Sequence, residues 1–350
     1  VDDARLTLAV ARGAHEAGAA VVSHAAVTAF LRDGVGAVRG ARVRDALTGA
    51  ELEARADVVV NAAGPWCDAL RRLADPDAAP RLRPTKGVHL VLDRERVGNR
   101  GALIFPSPVD GRIMFLLPWG AFTYVGTTDT DFAGDPGEAS ATEEDVEYLL
   151  ESANALFPEA RLTAGDVLST WTGVRPLLAP RREGEGVAES ATSREHEIWR
   201  DDSGLVSVAG GKLTTYRVMA AQTVDFSVEL LRRGREVRAV DSITADLHLP
   251  AAPVEPWDRF EERILAEAAR VGLPEDTARY LARAYGEDAE AILLVAAADP
   301  AQGRPLLHRL PYVWAEISHA VRHEMALTLE DVLRRRLHLS YEARDGGLSI

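Results

Sequence analysis

Asp57-Val58-Val59-Val60-Asn61-Ala62-Ala63-Gly64-Pro65-Trp66 is the stretch on which the fold turns. Its three valines end a run from Leu52 to Val60 that reads as a strand buried on both faces. Small residues then swing the chain into a helix from Trp66 to Leu73. A strand, a turn of small residues and a helix start make a nucleotide-binding geometry, because backbone amides there can approach a phosphate closely. A second joint of this kind lies far downstream, in Ser207-Val208-Ala209-Gly210-Gly211-Lys212-Leu213-Thr214-Thr215-Tyr216-Arg217. A strand runs through two glycines into a helix from Leu213 to Arg232, whose positive end favours an anionic or electron-rich group. It is not a P-loop, since Gly-x-x-x-x-Gly-Lys-Ser/Thr is absent.

Upstream of the first joint, residues 4–17 read as a helix, and Ala20 to Leu31 and Ala37 to Leu47 as strands. Asp33-Gly34 and Thr48-Gly49 supply the turns. Between the joints, residues 83–131 read as antiparallel sheet: Val88 to Leu92, Ile104-Phe105, Ile113 to Leu117 and Phe122 to Gly126. Asp110-Gly111 is a hairpin signal. Thr142-Glu143-Glu144-Asp145 opens an amphipathic helix to residue 157 in the manner of a capping box. Strands return over 166–175 and 196–209, the arms of the latter meeting at Asp201-Asp202-Ser203-Gly204. From about residue 251 the chain reads as mainly helical, with caps near Leu273-Pro274-Glu275-Asp276 and Thr328-Leu329-Glu330-Asp331.

Composition narrows the function classes. The chain has 350 residues, 47% hydrophobic and 27% charged, the balance of a globular protein with about two domains. A net charge of −14 argues against a nucleic-acid surface while leaving room for a local anion pocket. One cysteine, Cys67, excludes a disulfide framework and a Cys-rich metal site, and a reducing, cytoplasmic compartment is the natural reading. No run of 18 apolar residues is present. The opening Val1-Asp2-Asp3-Ala4-Arg5 is not that of a signal peptide and carries no initiator methionine, so the numbering is expected to begin inside a longer protein. Of the 40 basic residues only Lys86 and Lys212 are lysine. A lysine kept under that bias marks a place where a compact ammonium suits better than a planar guanidinium.

Several shorter motifs carry charge at strand ends. Thr170-Trp171-Thr172-Gly173-Val174-Arg175-Pro176-Leu177 ends a strand in an arginine held by a proline. Thr85-Lys86-Gly87-Val88-His89-Leu90 puts a lysine and a histidine three apart, hence on opposite faces if extended. Tyr124-Val125-Gly126-Thr127-Thr128-Asp129-Thr130-Asp131 ends in hydroxyls and carboxylates, and Ala191-Thr192-Ser193-Arg194 adds an arginine. In this order, with Asn61 to Trp66, Pro118-Trp119 and Gly210 to Arg217, the motifs resemble the flavin-dependent, quinone-linked glycerol-3-phosphate dehydrogenase family. The match spans roughly residues 1 to 225. The tail through Ala320-Val321-Arg322-His323-Glu324-Met325 and Leu329-Glu330-Asp331 is similar to that family's C-terminal cap. The family's N-terminal strand–Gly-x-Gly-x-x-Gly–helix and its early substrate-site arginine have no counterpart before Val1.

The resemblance implies a mixed α/β (α+β) fold in three parts. Residues 1–82 and 205–235 would belong to a truncated Rossmann-like FAD-binding domain, 83–204 to an antiparallel-sheet substrate domain, and 245–350 to a helical C-terminal domain. It implies oxidation of sn-glycerol 3-phosphate to dihydroxyacetone phosphate by hydride transfer to N5 of FAD, with electrons passed on to a quinone. Arg175 and Arg194 are the expected phosphate clamp, with Thr127 to Asp129, Thr128 foremost, lining the substrate side. Lys212 is expected at flavin N5 and the reacting hydroxyl, in a site too tight for arginine, and His89 as the general base. On the cofactor side stand Asn61, Ala62, Ala63 and Gly64, Val27 at the end of the first strand, and the amides of Gly210, Gly211, Lys212, Leu213 and Thr214. Expected partners are glycerol 3-phosphate, a quinone and a membrane surface reached peripherally from the cytoplasmic face, with a homodimer in view and no nucleic acid.

Other residues read as structural. His319 and His323 stand at i and i+4 on a helix without a third ligand in phase, so no metal is expected. Cys67 is expected to pack, and Arg334-Arg335-Arg336 to form a solvated face or to meet a membrane. Alternatives are a sibling FAD-dependent amino-acid or 2-hydroxy-acid oxidoreductase, or a piece that binds ligand without turnover.

Overall fold

Period-two alternation between residues 82 and 126 builds the sheet that organises this protein. A computed structural model describes residues 2–179 and 195–348. They sort into two units, one running from His24 to Ala245, the other combining residues up to Ser23 with those from Asp246 onward. The first helix, α1 (Asp3–Glu16), therefore belongs with the C-terminal region, although the sequence reading grouped it with the cofactor domain. Ion pairs decide this: Arg5 reaches Glu324 and Arg12 reaches Asp288.

The unit from His24 to Ala245 holds three sheets. β1 (Ala25–Arg32), β2 (Val38–Asp45) and β3 (Glu51–Arg55) form an antiparallel meander. The expected strand from Leu52 to Val60 is split, because Ala56 and Asp57 bond to Arg39 as the chain leaves that sheet. Only β4 (Val60–Asn61) resumes, in a different sheet, and Val60 is 41% exposed where burial on both faces was expected. A single 3₁₀ turn at Gly64–Trp66 then leads into α2 (Cys67–Ala74).

The largest sheet contains β5 (Leu82–Asp93), β6 (Leu103–Pro106), β7 (Ile113–Trp119), β8 (Phe122–Gly126), β9 (Thr130–Asp131) and β10 (Val167–Leu178), with short α3 (Arg94–Val97) after β5. Its order is β10-β5-β8-β7-β6, with β9 on the start of β5. α4 (Glu143–Leu156) covers one face, packing Leu149, Leu150 and Ala153 onto Val88, Leu90, Met114, Leu116 and Val125. Thr142 caps it as expected, exchanging bonds with Asp145. The third sheet runs β11 (His196–Arg200), β12 (Val206–Gly210), β4, and β12 is parallel to β4 with Val206 opposite Val60 and Ser207 opposite Asn61. α5 (Tyr216–Arg232) follows β12 after a 3₁₀ turn at Leu213–Thr215.

In the other unit, α6 (Trp257–Arg270), α7 (Glu275–Tyr285), α8 (Asp288–Ala298) and α9 (Trp314–His323) enclose Phe260, Ile264, Leu281 and Ile292. A π-helical turn at Asp331–Arg336 and α10 (Leu339–Glu342) add Leu337 and Leu339 around Tyr312. No helix among the described residues is long and apolar enough to cross a membrane.

Candidate active site

Among the described residues, the face of the large sheet opposite α4 is exposed at Phe115, Leu117 and Gly173. Register fixes what it carries: His89 faces Trp171 across β5–β10, Gly87 faces Gly173, and Gly126 of β8 faces His89 from the other side. Lys86, one residue out of phase, points under α4 and pairs with Asp145 at 2.6 Å. The predicted division of Lys86 and His89 between opposite faces is what the strand produces.

Arg175 folds back over this face. Its Nη1 donates to Asp129 Oδ1 at 3.0 Å, and Nη2 to Thr127 Oγ1 at 3.3 Å and the Thr128 carbonyl at 3.2 Å. Gly87 makes room, since a Cβ there would sit 2.4 Å from Nη2. A Cβ on Gly173 would meet nothing within 4 Å. A shallow trough results, floored by Gly173 and walled by Arg175, His89 and Trp171. Sequence reasoning named Arg175 but not Gly87 as its seat. The alternation Gly87–His89 against Trp171–Gly173–Arg175 was the signal available.

Two expectations for this face need correction. Thr128 is buried, its hydroxyl accepts the Val88 N–H at 3.0 Å, tying the loop to β5, and it lines a cavity behind Asp129, not the Gly173 side of the sheet. His89 is not placed to act as a general base. The Trp171 indole donates to its Nδ1 at 2.8 Å, and burial, with Arg175 nearby, pulls the imidazole pKa down to about 4. A neutral ring that accepts at Nδ1 carries its proton on Nε2, so no lone pair is left to take a hydroxyl proton. A cavity of about 460 Å³ lies behind Asp129, lined by Lys86, Arg112, Asp145 and Tyr148. Another, of about 820 Å³, opens beside Trp66 and Phe132. Neither is lined by Arg175, His89 or Lys212, so these two cavities and the trough are separate features.

The two predicted joints meet at the carboxyl ends of the parallel pair β4–β12, the position where open α/β sheets bind ligands. Asn61 works inward: its amide bonds the Cys67 carbonyl at 3.0 Å and reaches Ser207 Oγ, while its oxygen accepts from Ala63 N–H. Its side chain holds the turn and does not face a ligand. Ala62, Ala63 and Gly64 (φ 56°) leave the outer surface unobstructed. At the second joint, Gly210 and Gly211 take φ of 81° and 74°, and a Cβ on Gly210 would lie 2.4 Å from the Glu195 carbonyl. The Lys212 N–H donates to Thr215 Oγ1 at 3.2 Å, whereas the amides of Leu213 and Thr214, first in the helical turn, have no acceptor within it. Lys212 is exposed and makes no ion pair among the described residues, so the expected tight site is not seen around it. Val27 is not at a strand end. The chain from Ala17 to His24 (φ 55°) is irregular, β1 starts only at Ala25, and Val27 sits opposite Val43 in a sheet apart from both joints.

Arg194 lies outside the described residues. Cys67 is fully buried with its thiol pushed up to about 11 by that burial, consistent with packing. The arginine run is no uniform solvated face: Arg336 turns in to the Glu324 carbonyl, Arg335 meets Asp331 and Arg334 meets Tyr341. His319 does gain neighbours that sequence spacing hid. Donor atoms of Asp288, His319 and Glu324 lie within 4.8 Å of one another. Both carboxylates, however, are already paired with Arg12 and Arg5.

Known proteins match this arrangement. Residues 1–217 match the model of the FAD dependent oxidoreductase family, and residues 242–350 that of the C-terminal domain of alpha-glycerophosphate oxidase. An aerobic glycerol-3-phosphate dehydrogenase of Staphylococcus haemolyticus is 38% identical over 96% of this chain and 59% of its own length. Glycerol-3-phosphate dehydrogenase 2 of Mycobacterium bovis is 38% identical over 98% of this chain and 56% of its own. The crystal structure of a glycerol-3-phosphate dehydrogenase from Bacillus halodurans, complexed with FAD, superposes with a TM-score of 0.84 at 36% identity, covering 97% of this chain and 65% of that one. The chain thus spans less than two-thirds of these relatives' lengths. By the match over its first 217 residues, it belongs to the FAD dependent oxidoreductase family.

Proposed function

We propose that this chain supplies the substrate face and the cofactor edge of an FAD-dependent glycerol-3-phosphate dehydrogenase, which oxidises sn-glycerol 3-phosphate to dihydroxyacetone phosphate. The observation that carries the reading is Arg175, fixed by Asp129 and Thr127 above Gly87, in the same unit as the exposed helix start at Leu213 and Thr214. A guanidinium already oriented by its neighbours offers a preorganised fork to phosphate oxygens.

The residues fit a flavin in two respects. The Leu213 and Thr214 amides offer two donors, at the positive end of a helical segment, to an electron-rich ring edge. The small residues at Ala62 to Gly64 and the open space over Gly64 admit a phosphate-bearing chain close to the backbone. When bound, FAD supplies the acceptor for the hydride leaving C2 of the substrate. Arg175, with Arg194 in the same proposed role, holds the phosphate, the space over Gly173 receives the carbon chain, and the Lys212 ammonium steers the dianion inward. The proposal extends to a quinone acceptor, a cytoplasmic position peripheral to the cell membrane, and a homodimer. The aerobic description of the staphylococcal relative supports the first of these.

The test completes the chain with the N-terminal segment of the Bacillus halodurans relative, loads FAD and adds substrate without oxygen. Bleaching of the flavin's visible absorption by glycerol 3-phosphate is expected. Bleaching only by a 2-hydroxy acid or an amino acid would overturn the reading.

A further inference from the structure

We infer that Trp171 is a positioning residue, fixing His89 in the Nε2–H tautomer so that His89 meets an oxygen of the bound substrate as a hydrogen-bond donor. The inference rests on the proposed substrate face. An indole N–H can only donate, so the 2.8 Å contact from Trp171 Nε1 commits His89 Nδ1 to accepting. The one proton of the neutral ring then resides on Nε2. The two side chains are direct partners across β5–β10, with ring centres 5.0 Å apart. Trp171 is itself held edge-on by Tyr124 at 4.4 Å, and Tyr124 stacks on Trp119 at 5.7 Å. The indole is therefore braced and does not follow the imidazole.

Gly126 completes the device from the other neighbouring strand. A Cβ there would lie 2.6 Å from His89 Nε2 and 2.1 Å from Cδ2, so only glycine leaves the imidazole its place. Among the described residues Nε2 has no hydrogen-bond partner, and His89 is only half-buried, on the face opposite α4. The groups that face it are Trp171 and Arg175 from β10 and Tyr124 from β8. Arg175 is the charged one, and with burial it keeps the ring neutral, its pKa lowered to about 4. A neutral N–H beside a guanidinium suits an acceptor oxygen, whether a phosphate oxygen or the carbonyl of the product.

The test has one arm that needs no catalysis. The 350-residue chain is labelled with ¹⁵N-histidine, and the His89 signals are assigned by their loss in His89→Gln. The expected spectrum has a protonated Nε2 and an unprotonated Nδ1, unchanged from neutral pH to about pH 5. In Trp171→Phe, which keeps a ring against Tyr124, the tautomers should mix and the titration move up towards the ordinary 6.5. A proton on Nδ1 in the wild type, or a tautomer and titration unmoved by Trp171→Phe, would overturn the inference. The second arm uses the FAD-loaded, completed enzyme. Trp171→Phe should raise KM for glycerol 3-phosphate about tenfold with kcat little changed, the scale of one hydrogen bond. An unchanged KM would overturn the role towards substrate. Absence of any reaction with glycerol 3-phosphate in the wild type would instead overturn the proposed function and leave the tautomer result standing.

Discussion

Lys86 lies under α4 with its ammonium 2.6 Å from Asp145 and 3.3 Å from the Ser140 carbonyl, both side chains of the pair nearly closed to solvent. The carboxyl of Asp145 is destabilised by burial but held below the usual range by Lys86 and by the Thr142 amide. Removing one partner strands a buried charge, so Asp145→Ala should cost about 3–5 kcal/mol in chemical denaturation. A loss under about 1 kcal/mol would mean the pair is hydrated and dispensable. Lys86, one of the two lysines in this chain, thus has a buried carboxylate partner. Lys212, the other, is exposed and makes no ion pair among the described residues. Composition could flag both residues; only packing could separate them. His89 teaches the same lesson, since its type and place were legible while its tautomer depends on Trp171, 82 residues away.

Among the elements, the strands with clean alternation were legible, and so were the Asp110–Gly111 hairpin and the Thr142 cap. What alternation cannot convey is where a strand changes sheets, and the Leu52–Val60 run failed for that reason. The β5–β10 pair yields a prediction of its own. Gly87→Ala should push the Arg175 guanidinium aside while leaving the ladder intact. In the completed enzyme it should lower kcat/KM for glycerol 3-phosphate at least about tenfold with no matching loss for unphosphorylated glycerol. Equal losses for the two would mean that the sheet, not the arginine, was disturbed. In α9, Glu316 is wholly buried and its pKa is raised to about 7 by that burial, against the bonds from Val313 and Tyr285. Glu342 in α10 is raised to about 7 by burial as well, although Tyr312 bonds it. The folded unit keeps protons that the unfolded chain releases above 4.5, so this stability is complete below that value and is lost as pH rises through about 7. His338, raised by Asp2 against its own burial, acts in the same direction, whereas Glu324, held low by His319 and Arg5 against its burial, opposes it only in stronger acid. His89 in the other unit, lowered by burial and by Arg175, opposes this over the same range, so the test is made on Glu316 itself. Glu316→Gln should shrink the excess of the melting temperature at about pH 5 over that at about pH 8, compared with wild type. A pH difference left unchanged by Glu316→Gln would contradict this account.

At the scale of the whole molecule, two units divide the work. The unit from His24 to Ala245 contains the trough, the parallel strand pair and both joints, while the helical unit takes in α1 through ion pairs that no local pattern announces. The candidate site was legible as a set of glycine- and charge-bearing motifs, some at strand ends and others, Thr85 to Leu90 and Thr170 to Leu177, inside β5 and β10. Its geometry was not, because Gly87, Asp129 and Trp171 act through register between segments as much as 88 residues apart. The central claim is that Arg175 above Gly87 reads the phosphate of a three-carbon substrate. Its most direct test is kcat/KM of Arg175→Ala against wild type, in the completed FAD-loaded enzyme, for glycerol 3-phosphate and for glycerol. A loss of roughly 30- to 1000-fold confined to the phosphorylated substrate is the predicted result, the scale of one buried charge-assisted contact. Equal losses for both substrates, or none for either, would contradict it.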